Sequence, residues 1–210
     1  MYTPKFNQVA DRATLIEAMR AYSFAILFGA AADEDAGAQA THLPLVVKDE
    51  GPHGSDNIVL EGHFARANRH WQALAGRETL VVFPGPHSYV SPSLYEEQLS
   101  VPTWNYIAIH AYGTLLPVED PTGKEALLAG LIAAHEPAYL EKWQAMPEGY
   151  RSSLLAGIVG FRIPVARIEG KFKLSQSRSE TDRRTVQSAH AAGGDDQRAL
   201  AAWMARFIGS

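Results

Sequence analysis

Residues 101–106 read Val-Pro-Thr-Trp-Asn-Tyr and continue through Ile107-Ala-Ile to His110. An indole, a carboxamide, a phenol and an imidazole therefore fall within one strand's length. Alternate side chains of a strand point to opposite faces, so Trp104, Tyr106 and His110 share a face and Asn105 takes the other. A plain core strand would carry Val, Ile and Leu. This one presents flat, hydrogen-bonding groups on which a planar heteroaromatic ring could lie and be read. For this segment alone, an aromatic strand packed beneath a helix is the alternative.

Four further segments carry a similar mix. Thr41-His42-Leu43-Pro44 sets a hydroxyl and an imidazole in a strand that meets a proline. Pro44 has no backbone donor, which fits an edge strand or a ligand-facing position. In Gly62-His-Phe-Ala-Arg-Ala-Asn68 a strand end runs into a helix start, grouping His63, Arg66 and a capping Asn68. Free backbone donors, the positive end of a helix and a guanidinium together suit a phosphate; an ordinary cap beside an exposed arginine is the alternative. The run from Phe83 to Tyr95, with prolines at 84, 86 and 92, is rigid without being regular. It reads as a pocket wall or as a simple crossover. In Lys171-Phe-Lys-Leu-Ser-Gln-Ser-Arg178, alternation puts Lys171, Lys173 and Ser175 on a face that could reach an anion, with Gln176 and Arg178 following. A solvated edge strand is the other reading.

Other chemistries lack their signatures. The chain has no cysteine, which removes thiolate metal sites, disulfides and thiol nucleophiles. No G-x-G-x-x-G, Walker A, H-E-x-x-H or G-x-S-x-G occurs, and His135-Glu136 runs into Pro137. Proton-transfer candidates reduce to His42, His63, His87 and His110, each of which also reads as a structural or cofactor histidine. No catalytic residue is assigned.

The elements that must position these groups follow from periodicity. An amphipathic helix is predicted over 11–22, with Leu15, Ile16, Met19 and Tyr22 on one stripe. Strands are predicted at 24–28, 38–47 and 58–64, separated by loops at 33–37 and 49–56. Asn68 caps a short helix carrying Trp71 and Leu74. Strands at 78–83 and 89–90 flank a bend at Pro84-Gly85-Pro86, and 102–116 is the longest strand candidate. Asp120-Pro121 starts a helix that turns Leu127, Leu128, Leu131 and Ile132 inward and ends near Pro137. A short helix at 148–155 and strands at 158–163 and 168–174 follow. The end is helical, with Leu200, Trp203, Met204, Phe207 and Ile208 on one stripe. Regular strand–helix alternation is missing, so a mainly antiparallel barrel with peripheral helices fits better than a doubly wound sheet. The class is α+β, mainly β, with a barrel domain over 1–185 and a helical extension over 186–210.

A chain of 210 residues is long enough to bury a real core. Its net charge of −4 gives no general attraction to nucleic acid. The balance is uneven: residues 162–210 hold nine Lys/Arg against five Asp/Glu. That modestly basic segment could meet an acidic partner or phosphate, or be a solvated tail. The start of the sequence lacks a signal-peptide pattern, and the longest apolar stretch, Phe24 to Ala32, is too short to cross a bilayer. The expectation is a soluble cytoplasmic protein.

Seven segments occur in one order: Met1-Tyr-x-Pro-x-Phe, Ala40-Thr-His-Leu-Pro-Leu45, Gly62-His-Phe-Ala-x-x-Asn68 with Trp71, Gly85-Pro-His-x-Tyr89, Val101-Pro-Thr-Trp-Asn-Tyr106 with His110, Gly157-Ile-Val-Gly-Phe161 and Lys173-Leu-Ser-Gln176. Together they resemble the PaiB family of FMN-binding transcriptional regulators, relatives of the pyridoxamine-phosphate-oxidase-like split barrels. The resemblance implies a split β-barrel homodimer with FMN at each subunit junction. On that reading the flavin ring lies against Thr41, His42, Leu43 and Pro44. Trp104 or Tyr106 stacks on it, and Asn105, His42 and Gln176 read its edge. The phosphate sits near the helix capped by Asn68, with Arg66 and His63. His110, Lys173, Ser175, Gln176 and Arg178 close the pocket, some from the partner subunit. Ser177 departs from the family pattern, where an asparagine is usual. Two functions remain open: an FMN-binding negative regulator, or a flavin-dependent oxidoreductase of unknown substrate. No helix-turn-helix is evident; contact with DNA or a protein partner would fall to Lys171, Lys173, Arg178, Arg183 and Arg184.

Overall fold

The computed structural model describes residues 1–31, 37–50, 58–97 and 99–207. Most of the two predicted loops at 33–37 and 49–56, and Ile208, lie outside them. The elements in chain order are β1 (Gln8–Val9), α1 (Arg12–Ala21), β2 (Phe24–Ala30), β3 (Ala38–Pro44), β4 (Val46–Asp49), β5 (Ile58–Ala65), α2 (His70–Leu74), β6 (Glu78–Val90), β7 (Thr103–Thr114), β8 (Leu116–Val118), α3 (Pro121–His135), α4 (Tyr139–Gln144), α5 (Glu148–Ala156), β9 (Ile158–Lys173), α6 (Glu180–Ala191) and α7 (Asp195–Phe207). The main sheet follows the order β3-β2-β6-β7-β9-β5-β4, with β1 and β8 also paired to β9. β2–β3, β2–β6, β4–β5 and β5–β9 are all antiparallel.

Two segments predicted as broken strands are continuous. β6 passes straight through Pro84-Gly85-Pro86 rather than bending there. Its β2 partner pairs only as far as Val82, so the missing proline donors fall beyond that ladder. Gly85 is needed for a different reason: a Cβ there would come within 2.8 Å of Ile107 Cβ and 3.0 Å of its carbonyl. Likewise 158–163 and 168–174 form one strand, β9, which is longer than β7. Pro164 stands opposite Val59, the last pair of the β5 ladder.

The described residues pack as two compact units. One comprises Met1–Ala18, Pro84–Ile109 and Glu169–Ser210, the other Met19–Phe83 and His110–Ile168. α6 and α7 belong to the first of these units. In the first unit Phe172 meets Trp203 edge to face, with centroids 5.2 Å apart, and Val186, Leu200 and Met204 are buried with them. The predicted stripe of the last helix holds through Leu200, Trp203 and Met204, whose apolar burial drives its docking.

In the second unit Phe64 and Phe161 pack at 5.1 Å among buried Leu45, Leu60 and Ile163. The Asp120 cap forms as expected, with Gly123 N donating to Asp120 Oδ1 at 2.7 Å. Of the four leucine and isoleucine positions expected inward on α3, only Leu127 is fully buried; Leu128, Leu131 and Ile132 are half-buried.

Candidate functional site

The alternation expected of β7 is present. Asn105 is 0% exposed whereas Trp104 is 51% exposed. On the Asn105 side, Ser175 Oγ donates to Asn105 Oδ1 at 3.1 Å, and the carboxamide NH2 reaches Met204 Sδ at 3.8 Å. Ser175 adopts φ 64°, a left-handed backbone that a residue with a Cβ seldom takes. Gln176 braces that turn: Leu174 N donates to its Oε1 at 2.7 Å, and its Nε2 donates to the Phe172 carbonyl. Both amide ends are therefore committed to backbone.

These residues line a cleft of about 150 Å³ that also includes Tyr95, Thr103, Lys173 and Arg178. Lys173 Nζ donates to the Trp104 carbonyl at 2.6 Å and to Thr103 Oγ1. Burial, and then Lys171 nearby, hold its pKa below the ordinary lysine value. The Arg178 guanidinium lies 4.0 Å from the Tyr95 ring centroid and donates to Ser100 Oγ at 3.3 Å. Its carboxylate contact, Glu97, is 4.0 Å away and well exposed. The Tyr95 hydroxyl is buried and has no hydrogen-bond partner among the described residues. Two cations and an unmet buried donor in one cleft are suited to an anion.

The strand-end cluster of the other unit is joined by its own hydrogen bonds. Thr41 Oγ1 lies 2.9 Å from His70 Nδ1, Asn68 Nδ2 donates to Thr41 Oγ1 at 3.3 Å, and His70 N donates to Asn68 Oδ1 at 3.2 Å. Asn68 thus supports the helix start, although Arg69 occupies the cap position and α2 is only 5 residues long. Arg66 is hydrogen-bonded within its own unit. Its Nε donates to Ala156 O at 2.9 Å, NH2 to Ile158 O at 3.2 Å and NH1 to Glu119 at 3.2 Å. Two of these bonds hold the guanidinium against the end of α5 and the start of β9. His63 is half-buried, and burial lowers its pKa. His42 is exposed and stacks on Phe24 at 6.3 Å, while Leu43 and Pro44 are half-buried at the end of β3. His110 is half-buried, with Nδ1 3.5 Å from Tyr112 Oη.

The basic C-terminal run is largely engaged within the chain. Lys171 Nζ donates to Tyr2 O at 3.0 Å, Arg183 NH1 to Phe207 O at 3.4 Å and Arg184 NH2 to Glu180 at 2.6 Å. Among the described residues no helix is long and apolar enough to cross a membrane.

Sequence reasoning missed Tyr95 and Thr103 as cleft residues and His70 as the partner of Thr41. Thr103 stood inside a quoted motif, and Tyr95 closed the proline-rich run read as a possible pocket wall. His70 carried no signal beyond its place in α2.

The mostly antiparallel, unclosed sheet with flanking helices is a split barrel. The flavocytochrome Anf3 from Azotobacter vinelandii shares this fold with a TM-score of 0.59 at 12% identity, over 81% of this chain and 72% of that one. A structure described as a putative 5-nitroimidazole antibiotic resistance protein, from Bacteroides thetaiotaomicron, gives 0.55 at 11% identity, over 78% of this chain and 85% of that one. A family model described as "Putative FMN-binding domain" matches residues 1–167. Protease synthase and sporulation protein PAI 2 from Bacillus subtilis is 35% identical over 185 residues, covering 87% of this chain and 85% of that protein. The chain belongs to this FMN-binding, PaiB-like family, and FMN is the cofactor that membership assigns to it.

Proposed function

We propose that the chain binds FMN with the phosphate end in the Lys173–Arg178 cleft, as a two-fold homodimer. The observation that carries this is the buried Tyr95 hydroxyl, unpartnered among the described residues, on the ring over which the Arg178 guanidinium lies. A phosphate would satisfy that hydroxyl and accept charge-assisted bonds from Arg178 and Lys173. Asn105 and Ser175 fix the cleft floor beneath it. When bound, FMN supplies hydride or single-electron transfer at its ring. Trp104 and Tyr106, in the same unit as the cleft, remain the proposed ring contacts. Both are at least partly open to solvent, as a ring or a second subunit requires.

A dimer is supported by aromatic surface that a lone chain leaves open. Phe24 is 60% exposed and Tyr89 50%, and Tyr89 packs edge to face on Trp104 at 6.1 Å. The regulatory role implied by the PaiB-like sequence is proposed to act indirectly, through flavin state or a partner protein. The internal pairing of Lys171, Arg183 and Arg184 leaves little of the basic run to grip DNA.

Titrating the purified chain with FMN, followed by flavin fluorescence, tests the placement. Arg178→Ala should weaken binding by about 1.5–3 kcal/mol, the scale of a hydrogen bond to a charged group. Unchanged affinity would move the phosphate elsewhere. Light scattering at micromolar concentration should report a dimer, and a monomer would overturn that part.

A further inference from the structure

Between β8 and β9 the chain inserts α3, α4 and α5, and these three helices line an open cleft of about 460 Å³. Thr122, Glu125, Ala126 and Ala129 of α3 line one wall at i, i+3, i+4 and i+7. Glu148, Arg151, Ser152 and Leu155 of α5 line another at the same spacing. Such spacing gives each helix one continuous stripe toward the cleft. Trp143 and Leu155 are buried and provide apolar lining, and Ala126 and Ala129 are small enough to leave room.

Cross-helix polar ties hold the walls in place. Glu125 Oε1 accepts from Trp143 Nε1 at 2.8 Å and from Arg151 NH1 at 2.7 Å. Lys124 Nζ, from α3, donates to the Leu155 carbonyl near the end of α5 at 2.5 Å. The volume lies in the range of small-molecule sites, about 300–1,000 Å³. Among the described residues, Arg151 Nε is buried without a hydrogen-bond partner. A buried guanidinium N–H without an acceptor is unfavourable, so it favours a ligand that brings one. One turn before Arg151 on the same stripe stands the carboxylate of Glu148.

We propose that this cleft is a second ligand site that takes a free amino acid with an apolar side chain. The carboxylate accepts from Arg151, the ammonium meets Glu148, and the side chain lies against Trp143, Leu155 and the two alanines. The inference stands apart from the FMN reading, since every residue it uses lies between 121 and 155.

The test is calorimetry on the full FMN-loaded chain with L-leucine and L-phenylalanine, alongside their methyl esters and N-acetyl forms. Saturable binding of a free amino acid is expected, weakened about tenfold or more by masking either end, the scale of one charged hydrogen bond. Arg151→Gln should weaken it similarly. Because that change also removes the Glu125 pair, Ala129→Leu serves as the second variant: it fills the cleft and keeps every polar group. Loss of binding in Ala129→Leu with FMN affinity unchanged supports the site. No saturable binding by either amino acid, or equal binding in wild type and Ala129→Leu, overturns it.

Discussion

Tyr95→Phe should move stability and cofactor affinity in opposite directions. The substitution removes only the hydroxyl, keeping the ring on which Arg178 lies at 4.0 Å. In the free chain that hydroxyl is buried and unpartnered among the described residues. A buried donor in this state costs about 1–3 kcal/mol, so its removal should stabilise the free chain by about 1–2 kcal/mol once partial relaxation is allowed for. For a chain of this size that corresponds to a Tm rise of roughly 2–4 °C per kcal/mol. With FMN bound, the same hydroxyl would donate to a phosphate oxygen. Its loss should weaken binding by about 1.5–3 kcal/mol, roughly ten- to 150-fold. Thermal melts with and without FMN, joined to a fluorescence titration, read both effects on one sample. A Tyr95→Phe protein with lowered free-chain stability and unchanged FMN affinity would refute the reasoning.

Three further outcomes follow from the contacts. Arg66→Ala should leave FMN affinity unchanged in a titration, yet lower stability in denaturant melts by about 1 kcal/mol or slightly more through lost bonds to Ala156 and Ile158. Asp120→Ala should destabilise α3 by about 0.5–2 kcal/mol, visible as a lower urea midpoint, because Gly123 N loses its acceptor. His63, His70 and His190 all have pKa values lowered by burial, so the folded chain binds fewer protons than the unfolded one in mild acid. Their contribution is complete above the unfolded imidazole pKa of about 6.5 and is lost as pH falls below it toward the folded values. Melts from pH 7.5 to 5 should show falling stability, with a shallower decline in His190→Leu; an unchanged slope would exclude His190 as a contributor.

Much of the fold was legible because local signals and tertiary packing agree. The Asp120-Pro121 start, the alternation of β7 and the Leu200–Met204 stripe each state their own burial pattern. β6 and β9 were read as broken because proline is a local signal, whereas its tolerance depends on where a neighbouring ladder stops. Val82 and Val59 mark those limits, and neither position is visible from the strand that carries the proline. The site was legible by residue type more than by role. Arg66 resembles a free phosphate ligand in sequence, but its donors reach carbonyls about ninety residues away. Gln176 reads as a recognition amide, but it braces the turn that presents Ser175. Conversely, Tyr95 gained its significance from burial, which no motif announces.

The central claim, that the FMN phosphate occupies the Lys173–Arg178 cleft, is tested most directly by comparing FMN with riboflavin on wild type and Arg178→Ala. The two flavins share a ring and differ by the phosphate. Wild type should prefer FMN strongly, and Arg178→Ala should shrink that preference roughly tenfold or more while leaving riboflavin binding nearly unchanged. An equal FMN preference in both proteins would contradict the account.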